Sequence, residues 1–207
     1  IAHEGNLWLS KGAHRFMKTA ELGMIGQHNA LNALVSLAMG ERLGFDQAAM
    51  IEVLKTFRGL EHRAEVVAKS QGVTWINDSK GTNTGACLAA IQGLGGEGEK
   101  NIHLIMGGRS KGADFSILQS AIQKVVKYLY LIGECADDLQ KQFKDSVPIF
   151  LARNLETAVD LAQERIEPGD IVLLSPACAS FDQYSNYIER GEHFSRLVHK
   201  RLKGKTE

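Results

Sequence analysis

The stretch Ile171-Val172-Leu173-Leu174-Ser175-Pro176-Ala177-Cys178-Ala179-Ser180 decides the fold of this chain. Its first four residues, all apolar, predict a buried parallel strand, and the segment after Ser180 predicts a helix from about Gln183. A strand that ends in a turn of small residues before a helix presents free backbone N–H groups to an anion. Ligands of open α/β sheets also bind beyond the carboxyl ends of the strands. The structural alternative is an ordinary strand–helix joint with a serine N-cap.

Polar turns at three other places repeat this arrangement. They are 75–83 (Trp-Ile-Asn-Asp-Ser-Lys-Gly-Thr-Asn), 104–115 (Leu-Ile-Met-Gly-Gly-Arg-Ser-Lys-Gly-Ala-Asp-Phe) and 59–63 (Gly-Leu-Glu-His-Arg), the last preceded by 26–33 (Gly-Gln-His-Asn-Ala-Leu-Asn-Ala). The first turn combines an acid, a base and two hydroxyls, and the glycines of the second allow a sharp bend beside Lys111. A single lysine in a glycine turn is usually a solvated surface charge, so only the combination points to a ligand.

Short apolar strands alternate with helices from about Leu60 onward. The predicted strands are Glu65–Ala68, Val73–Asn77, Ile102–Met106, Tyr128–Ile132, Pro148–Leu151 and Ile171–Leu174. The predicted helices are Thr84–Gly93, Phe115–Lys124, Ala136–Phe143, Leu155–Arg165 and Gln183–Lys200. This alternation predicts an α/β fold, a Rossmann-like and mostly parallel sheet with helices on both faces. Before it, apolar residues at helical spacing predict two helices, His28–Arg42 and Asp46–Phe57, with Asp46 as an N-cap.

The sequence also predicts a hairpin near its start and one surface loop. Ile1 to Leu9 and Arg15 to Thr19 predict a hairpin that turns at Glu4-Gly5-Asn6, and 95–100 (Gly-Gly-Glu-Gly-Glu-Lys) predicts a flexible surface loop. Because the chain opens in the middle of an element at Ile1, we expect it to be a fragment of a longer protein.

Composition and charge are those of an ordinary globular protein. Of the 207 residues, 44% are hydrophobic and 23% are charged, and 24 basic residues balance 24 acidic ones. A zero net charge gives no electrostatic reason to expect nucleic acid or an anionic membrane as a partner. No apolar run reaches the length of a membrane span, and no signal peptide is recognisable. We therefore expect a cytoplasmic protein, and we take it to be a monomer.

The three cysteines do not have the spacing of metal ligands. Cys87 lies in a predicted helix and Cys135 at the start of another, where small buried side chains are expected. Cys178 lies in the turn that faces a ligand, which makes it the candidate for a reactive thiol. No metal site is expected in this chain.

Two familiar nucleotide-binding motifs do not match. A dinucleotide-binding fold requires Gly-x-Gly-x-x-Gly after its first strand, whereas 107–112 has different glycine spacing and follows a later strand. A phosphate loop requires Gly-x-x-x-x-Gly-Lys-[Ser/Thr], and 108–112 lacks that ending. The chain therefore contains neither motif, and any nucleotide must be bound in another way.

Together and in this order, the four polar turns resemble the Mur ligase family, and within it the members that attach D-glutamate. The resemblance extends from Gly26 to the C-terminus, and its most specific strings are 75–83 and 174–183 with Asn186, 190–191 (Arg-Gly) and Phe194. It implies that residues 1–60 are the incomplete C-terminal end of a central ATP-binding domain. Residues 61–207 would then be the C-terminal domain of the family.

The resemblance also implies an activity, the ATP-dependent joining of D-glutamate to UDP-N-acetylmuramoyl-L-alanine in peptidoglycan precursor synthesis. The acceptor carboxylate would attack the γ-phosphate of ATP, and the amine of D-glutamate would then displace phosphate from the acyl phosphate. Such a protein works mainly by positioning its substrates and neutralising their charges. The phosphate loop and the ligands of Mg²⁺ are expected upstream of Ile1, so this fragment should be inactive by itself.

The resemblance assigns two sets of site residues. The nucleotide-binding set is Asn29, Asn32, His62, Arg63, Asp78 and Lys80. The D-glutamate-binding set is Thr82, Lys111, Ser180, Phe181 and Tyr187. The two asparagines would face the adenine, His62 the adenosine and Asp78 the ribose hydroxyls. Lys80 and Arg63 would reach the phosphates and are the catalytic candidates.

Relatives often have an acid where this chain has Arg109-Ser110, so no role of that acid transfers, and Arg109 is a candidate for attracting carboxylate or phosphate. Two other functions remain possible at this point. One is a related amide ligase such as folylpolyglutamate synthase, which should lack the turn 175–180. The other is a nucleotide- or amino-acid-binding module without catalysis.

Overall fold

A computed structural model describes residues 2–3, 6–95 and 99–204 of the chain. Its internal contacts form two compact units, Ile1–Gly59 and Leu60–Glu207. The predicted turn at Glu4-Gly5 and the centre of the predicted loop at 95–100 lie outside the described residues. Among the described residues, no helix combines the length and the apolar character that a membrane crossing requires.

The first unit combines a small antiparallel sheet with two helices. The elements are β1 (Ala2–His3), β2 (Asn6–Lys11), β3 (His14–Lys18), α1 (Gln27–Arg42) and α2 (Gln47–Thr56). The hairpin between β2 and β3 turns at Gly12-Ala13, where Lys11 pairs with His14. β1 also pairs antiparallel with β2, and His3 pairs with Asn6 on either side of the predicted turn. Gly12 adopts a φ of 59°, which favours glycine. The buried core consists of Leu9, Met17, Ala33, Leu37 and Leu54.

The predicted N-cap of the second helix is confirmed. The Asp46 side chain accepts a hydrogen bond from the backbone N–H of Ala49 at 2.8 Å. Such a cap satisfies one of the free donors at a helix N-terminus and stabilises it by about 1 kcal/mol.

The second unit contains a six-stranded sheet with the order β4-β5-β9-β6-β7-β8. Its strands are β4 (Glu65–Ser70), β5 (Val73–Asn77), β6 (Ile102–Gly107), β7 (Val126–Ile132), β8 (Ile149–Arg153) and β9 (Ile171–Leu174). Only the β4–β5 pair is antiparallel, and the other neighbours run parallel. The mostly parallel α/β sheet predicted from the sequence is confirmed.

Helices flank this sheet. They are α3 (Thr84–Leu94), α4 (Gln119–Val125), α5 (Ala136–Phe143), α6 (Leu155–Gln163) and α7 (Tyr187–Lys203). The predicted helix at 115–124 is instead a 3₁₀ turn, Ser116–Leu118, that continues into α4. Fully buried side chains such as Trp75, Tyr130 and Phe194 join the sheet to its helices, and each stabilises the fold by about 1.5–3 kcal/mol.

The last helix begins later than predicted. Residues 181–186 form turns, in which the N–H groups of Gln183 and Tyr184 donate to the Ser180 carbonyl at 3.0 and 2.8 Å. The helix then begins at Tyr187, because the Asn186 side chain caps it by accepting from the Glu189 N–H at 2.9 Å. The prediction that Ser180 lies at the helix N-terminus is therefore wrong.

Candidate functional site

Three loops leave the same edge of the sheet, at the carboxyl ends of β5, β9 and β6. The register aligns these ends, because Asn77 pairs with Leu174 and Leu174 pairs with Ile105. Since β9 lies between the other two strands, its loop contacts both neighbours. This edge is where parallel α/β sheets bind their ligands.

Backbone hydrogen bonds join the three loops into one rim. The Ala177 N–H donates to the Gly81 carbonyl at 2.9 Å. Arg109 and Ala179 exchange a pair of bonds of 2.9 and 3.1 Å. The β9 loop is therefore bonded to the β5 loop on one side and to the β6 loop on the other.

Four of the five predicted D-glutamate-binding residues lie on this rim. Thr82 follows Gly81, Ser180 follows Ala179, and Lys111 comes two residues after Arg109 in the β6 loop. The Lys111 ammonium lies 5.3 Å from the centre of the Phe181 ring, and Phe181 is 56% exposed. These four residues contribute one ammonium group, two hydroxyls and an aromatic ring. These are groups that suit a small carboxylate-bearing molecule.

The glycine turn before Lys111 is required by a close approach. Gly108 has a φ of 128°, and a Cβ there would collide with the Ala179 carbonyl oxygen. Arg109, next in the chain, pairs with Glu134 at 3.0 Å between two exposed side chains. Its guanidinium therefore already has a carboxylate partner, and a role toward a ligand stays a prediction.

Asp78, predicted to bind ribose, ties two segments of the site together. Its carboxylate accepts from the Ser175 hydroxyl at 2.7 Å and from the Ala64 N–H at 3.2 Å. Burial raises the pKa of Asp78 from 3.8 to about 6, although both hydrogen bonds act against the rise. Gly81 lacks a Cβ for a reason, since one would lie 2.5 Å from an Asp78 carboxylate oxygen. Each oxygen keeps one further acceptor position.

His62 is fixed by its neighbours. It is 7% exposed, and its Nδ1 lies 2.9 Å from the Asn77 side-chain amide nitrogen, which can only donate. Nδ1 is therefore the acceptor, and the proton resides on Nε2. A Cβ at Gly191 would collide with the imidazole, which explains the small residue in the Arg-Gly string. Arg63, beside it, is exposed.

Lys80, a predicted catalytic residue, contacts Tyr187. Its ammonium nitrogen lies 4.1 Å from the centre of the Tyr187 ring, and its backbone N–H donates to the His62 carbonyl at 3.0 Å. Tyr187 was predicted with the D-glutamate-binding residues, but its described contacts are with Lys80, His62 and Ser79.

Arg190 was quoted in the sequence pattern but given no role, and the structure shows it to be central. Only 1% exposed, its guanidinium donates to the hydroxyl and carbonyl of Ser79 at 3.0 and 2.9 Å and to the Cys178 carbonyl at 3.2 Å. Burial lowers its pKa to about 10. A sequence signal existed, because Arg190 shares the helical spacing of the buried Phe194 and Leu197.

The cysteines are buried, as expected for Cys87 and Cys135. Cys178, the candidate reactive thiol, is 1% exposed, and its sulfur lies 3.5 Å from that of Cys135. The hydrogen-bonding contact with Cys135 and burial raise the pKa of Cys178. Neither property favours a reactive thiol.

Asn29 and Asn32 lie on α1 of the first unit. The Asn29 amide donates to the Ile25 carbonyl at 2.7 Å, just before the helix, whereas the Asn32 side chain is exposed. The residues are three apart and share one face. Their assignment to adenine stays a prediction.

Within the part of the chain that the structure describes, no group of three or more His, Cys, Asp or Glu side chains is arranged to hold a metal ion.

Comparisons with known proteins show which family this chain resembles. A family model described as "Mur ligase, glutamate ligase domain" matches residues 62–178. A UDP-N-acetylmuramoylalanine–D-glutamate ligase of Acinetobacter baylyi is 46% identical over 94% of this chain and 44% of its own length. A protein of the same name from Legionella pneumophila is 43% identical over 96% of this chain and 44% of its own length. The chain thus spans about 44% of the length of these curated relatives.

Solved structures with low sequence identity share the fold. UDP-N-acetylmuramate–alanine ligase from Thermotoga maritima aligns over 93% of this chain and 42% of its own, with a TM-score of 0.62 and 17% identity. Folylpolyglutamate synthase of Mycobacterium tuberculosis, solved with ADP, aligns over 87% of this chain and 43% of its own, with a TM-score of 0.59 and 18% identity.

Proposed function

The chain belongs to the Mur ligase family, and on that premise we propose that it forms part of an ATP-dependent ligase that joins D-glutamate to UDP-N-acetylmuramoyl-L-alanine. The observation that carries the proposal is the hydrogen-bonded rim on which Thr82, Lys111 and Ser180 lie. The names of the relatives at 43–46% identity support the choice of D-glutamate. Residues 1–60 would close the central ATP-binding domain, and residues 61–207 would form the C-terminal domain.

D-glutamate carries two carboxylates, and the rim supplies groups for them. The Lys111 ammonium provides a point charge, and the Thr82 and Ser180 hydroxyls can donate hydrogen bonds to carboxylate oxygens. Ser180 is almost completely buried, so a bond there forms where little water competes. With both carboxylates bound to the rim, the amine of D-glutamate would be positioned to attack the acyl phosphate of the other substrate. Phosphate would then leave through a tetrahedral intermediate.

The nucleotide would bind beside this pocket. Arg63 is exposed, so its guanidinium can reach a phosphate from solvent. Its positive charge also favours the charged form of the nearby Asp78 carboxylate. Lys80 would reach the phosphates, Asp78 would accept from the ribose hydroxyls through its unused acceptor positions, and His62 would lie by the adenosine. Asn29 and Asn32 would offer amide groups to the adenine edge. Mg²⁺ would be held by residues other than those described.

The remaining parts of the proposal concern partners and place. The substrates are small molecules, namely UDP-N-acetylmuramoyl-L-alanine, D-glutamate and ATP. The balance of 24 basic and 24 acidic residues supports a protein without nucleic-acid or membrane partners. We place it in the cytoplasm as a monomer.

The full-length protein should form ADP only when both UDP-N-acetylmuramoyl-L-alanine and D-glutamate are present. Folate with L-glutamate in their place would identify the folylpolyglutamate-type alternative, and no ADP with either pair would identify a binding module. Coupled measurement of ADP release separates these outcomes.

Lys111→Ala tests the acceptor pocket within that assay. Loss of one charged contact should raise the activation free energy that corresponds to kcat/KM for D-glutamate by about 2–4 kcal/mol. The change in kcat/KM for ATP should be much smaller. Lys144→Ala, which removes another exposed lysine, is the matched control. Equal effects of Lys111→Ala on the KM values of both substrates would contradict the assignment.

A further inference from the structure

Tyr187 contacts the lysine of the nucleotide side rather than the residues of the acceptor rim. The Lys80 ammonium nitrogen lies 4.1 Å from the centre of its ring. The Tyr187 ring and the His62 imidazole are nearly perpendicular, with centroids 6.0 Å apart and planes at 80°. The Tyr187 carbonyl accepts from the Ser79 hydroxyl at 2.8 Å. Tyr187 therefore contacts Ser79 and Lys80 of the β5 loop and His62, which lies just before β4.

The ring is held by rigid elements. Tyr187 is the first residue of α7, and the Asn186 cap defines where that helix begins. Three residues further on, the buried Arg190 donates hydrogen bonds to Ser79, the residue directly before Lys80. Hydrogen bonds therefore tie the helix that carries the ring to the residue before Lys80. The lysine is held at its backbone by this link and contacts the ring with its ammonium group.

An aromatic partner has a consequence that a carboxylate partner would not have. A cation above a ring face is attracted by the ring quadrupole, yet it keeps its charge and its three N–H donors. Among the described residues, no carboxylate lies within ion-pair distance of the Lys80 ammonium. An incoming phosphate would therefore not have to displace an anion. Lys111 above Phe181 repeats the arrangement at a longer distance of 5.3 Å.

We propose that Tyr187 is a positioning residue whose ring holds the Lys80 ammonium in place for the nucleotide phosphates. This inference rests on the proposed function, which directs Lys80 to the phosphates. It concerns only the ring, so the expected role of Tyr187 in binding D-glutamate stays a prediction. A lysine side chain that is already restrained before the substrate binds loses less conformational entropy when the complex forms.

Kinetics of the full-length protein test the inference. Tyr187→Leu removes the ring and should lower kcat/KM for ATP by roughly 2- to 30-fold, the range of a cation–π contact. The KM for D-glutamate should change much less, and Tyr187→Phe, which keeps a ring, should recover most of the loss. A Tyr187→Leu effect confined to the KM for D-glutamate would overturn the proposal.

A double-mutant cycle excludes a merely structural effect. In a Lys80→Met background, Tyr187→Leu should have little further effect, because the cation is already absent. Additive losses would overturn the proposal. If Tyr187→Leu does not fold, fluorinated phenylalanines at this position keep the ring shape while weakening its negative face. They should then reduce kcat/KM for ATP in order of fluorination, and a flat series would count against the contact.

Nuclear magnetic resonance separates this inference from the proposed function. In the 207-residue chain itself, the ring current of Tyr187 should shift the Lys80 Cε protons upfield of those of exposed lysines such as Lys144. The shift should persist in Tyr187→Phe and vanish in Tyr187→Leu. This measurement needs no activity, so an absent shift refutes the contact, whereas absent D-glutamate-dependent ADP release refutes the function.

Discussion

Replacing Asp78 by asparagine should change how the stability of the second unit depends on pH. In the native protein the carboxyl pKa is raised from 3.8 to about 6. Between these values the folded state binds a proton that the unfolded state has released, so stability falls as the pH rises through this window. At about 1.4 kcal/mol per pKa unit, burial of the charged carboxylate lowers the free energy of unfolding by about 3 kcal/mol at pH values above this window.

Asparagine resembles the protonated acid in this site. It can accept from the Ala64 N–H and donate to the Ser175 hydroxyl oxygen, which can rotate its own hydrogen away. The free energy of unfolding of Asp78→Asn, relative to wild type, should therefore increase by about 3 kcal/mol between pH 3.8 and about 6. The variant should then be at least as stable as wild type at neutral pH.

Urea unfolding followed by tryptophan fluorescence provides the assay. Trp75 is buried in the second unit, so a Trp8→Phe background leaves a reporter for that unit alone. Asp114→Asn is a control of opposite sign, because hydrogen bonds from Ser116 lower the pKa of that exposed carboxyl. Its loss of stability should appear above the unfolded pKa and fade as the pH falls. Parallel profiles for wild type and Asp78→Asn through the window would refute the reasoning.

Three further predictions concern the packing of the site. Gly81→Ala should lower the free energy of unfolding by about 1–3 kcal/mol, because its Cβ would crowd the Asp78 carboxylate; an unchanged urea midpoint would contradict this. Arg190→Met should lower the free energy of unfolding by about 2–4 kcal/mol, since it leaves buried carbonyl oxygens without their donor; an unchanged midpoint of thermal unfolding would argue against this role of the guanidinium. Cys178 should react with a maleimide far more slowly in the native than in the urea-unfolded protein, because the contact with Cys135 and burial raise its pKa; equal labelling by mass spectrometry would disprove it.

Elements bounded by local signals could be predicted from the sequence. Val73–Asn77, Ala136–Phe143 and Ile171–Leu174 have the predicted limits. In each case an apolar or amphipathic run meets turn or capping residues, and these preferences act between residues close in the chain. The last helix was predicted four residues too early, because the polar residues before Asn186 fit a helix by composition but form turns instead.

The candidate site was only partly accessible in this way. The rim residues carried recognisable chemistry, and the structure brings Thr82, Lys111 and Ser180 to one edge. Sequence spacing could not reveal the contact of Tyr187 with Lys80 or that of Arg190 with Ser79. In both pairs the partners are more than 100 residues apart along the chain. Their roles as substrate-binding groups remain predictions.

The sequence by itself determined the class of the fold, the strand ends at which polar turns occur, and the family resemblance, because these depend on neighbouring residues. Only the tertiary structure decided that the last strand, β9, lies between β5 and β6. Strand order depends on packing between distant segments, which no local preference encodes. That one placement brings the three loops together, and it buries Asp78, Arg190 and Cys178 at the centre of the site.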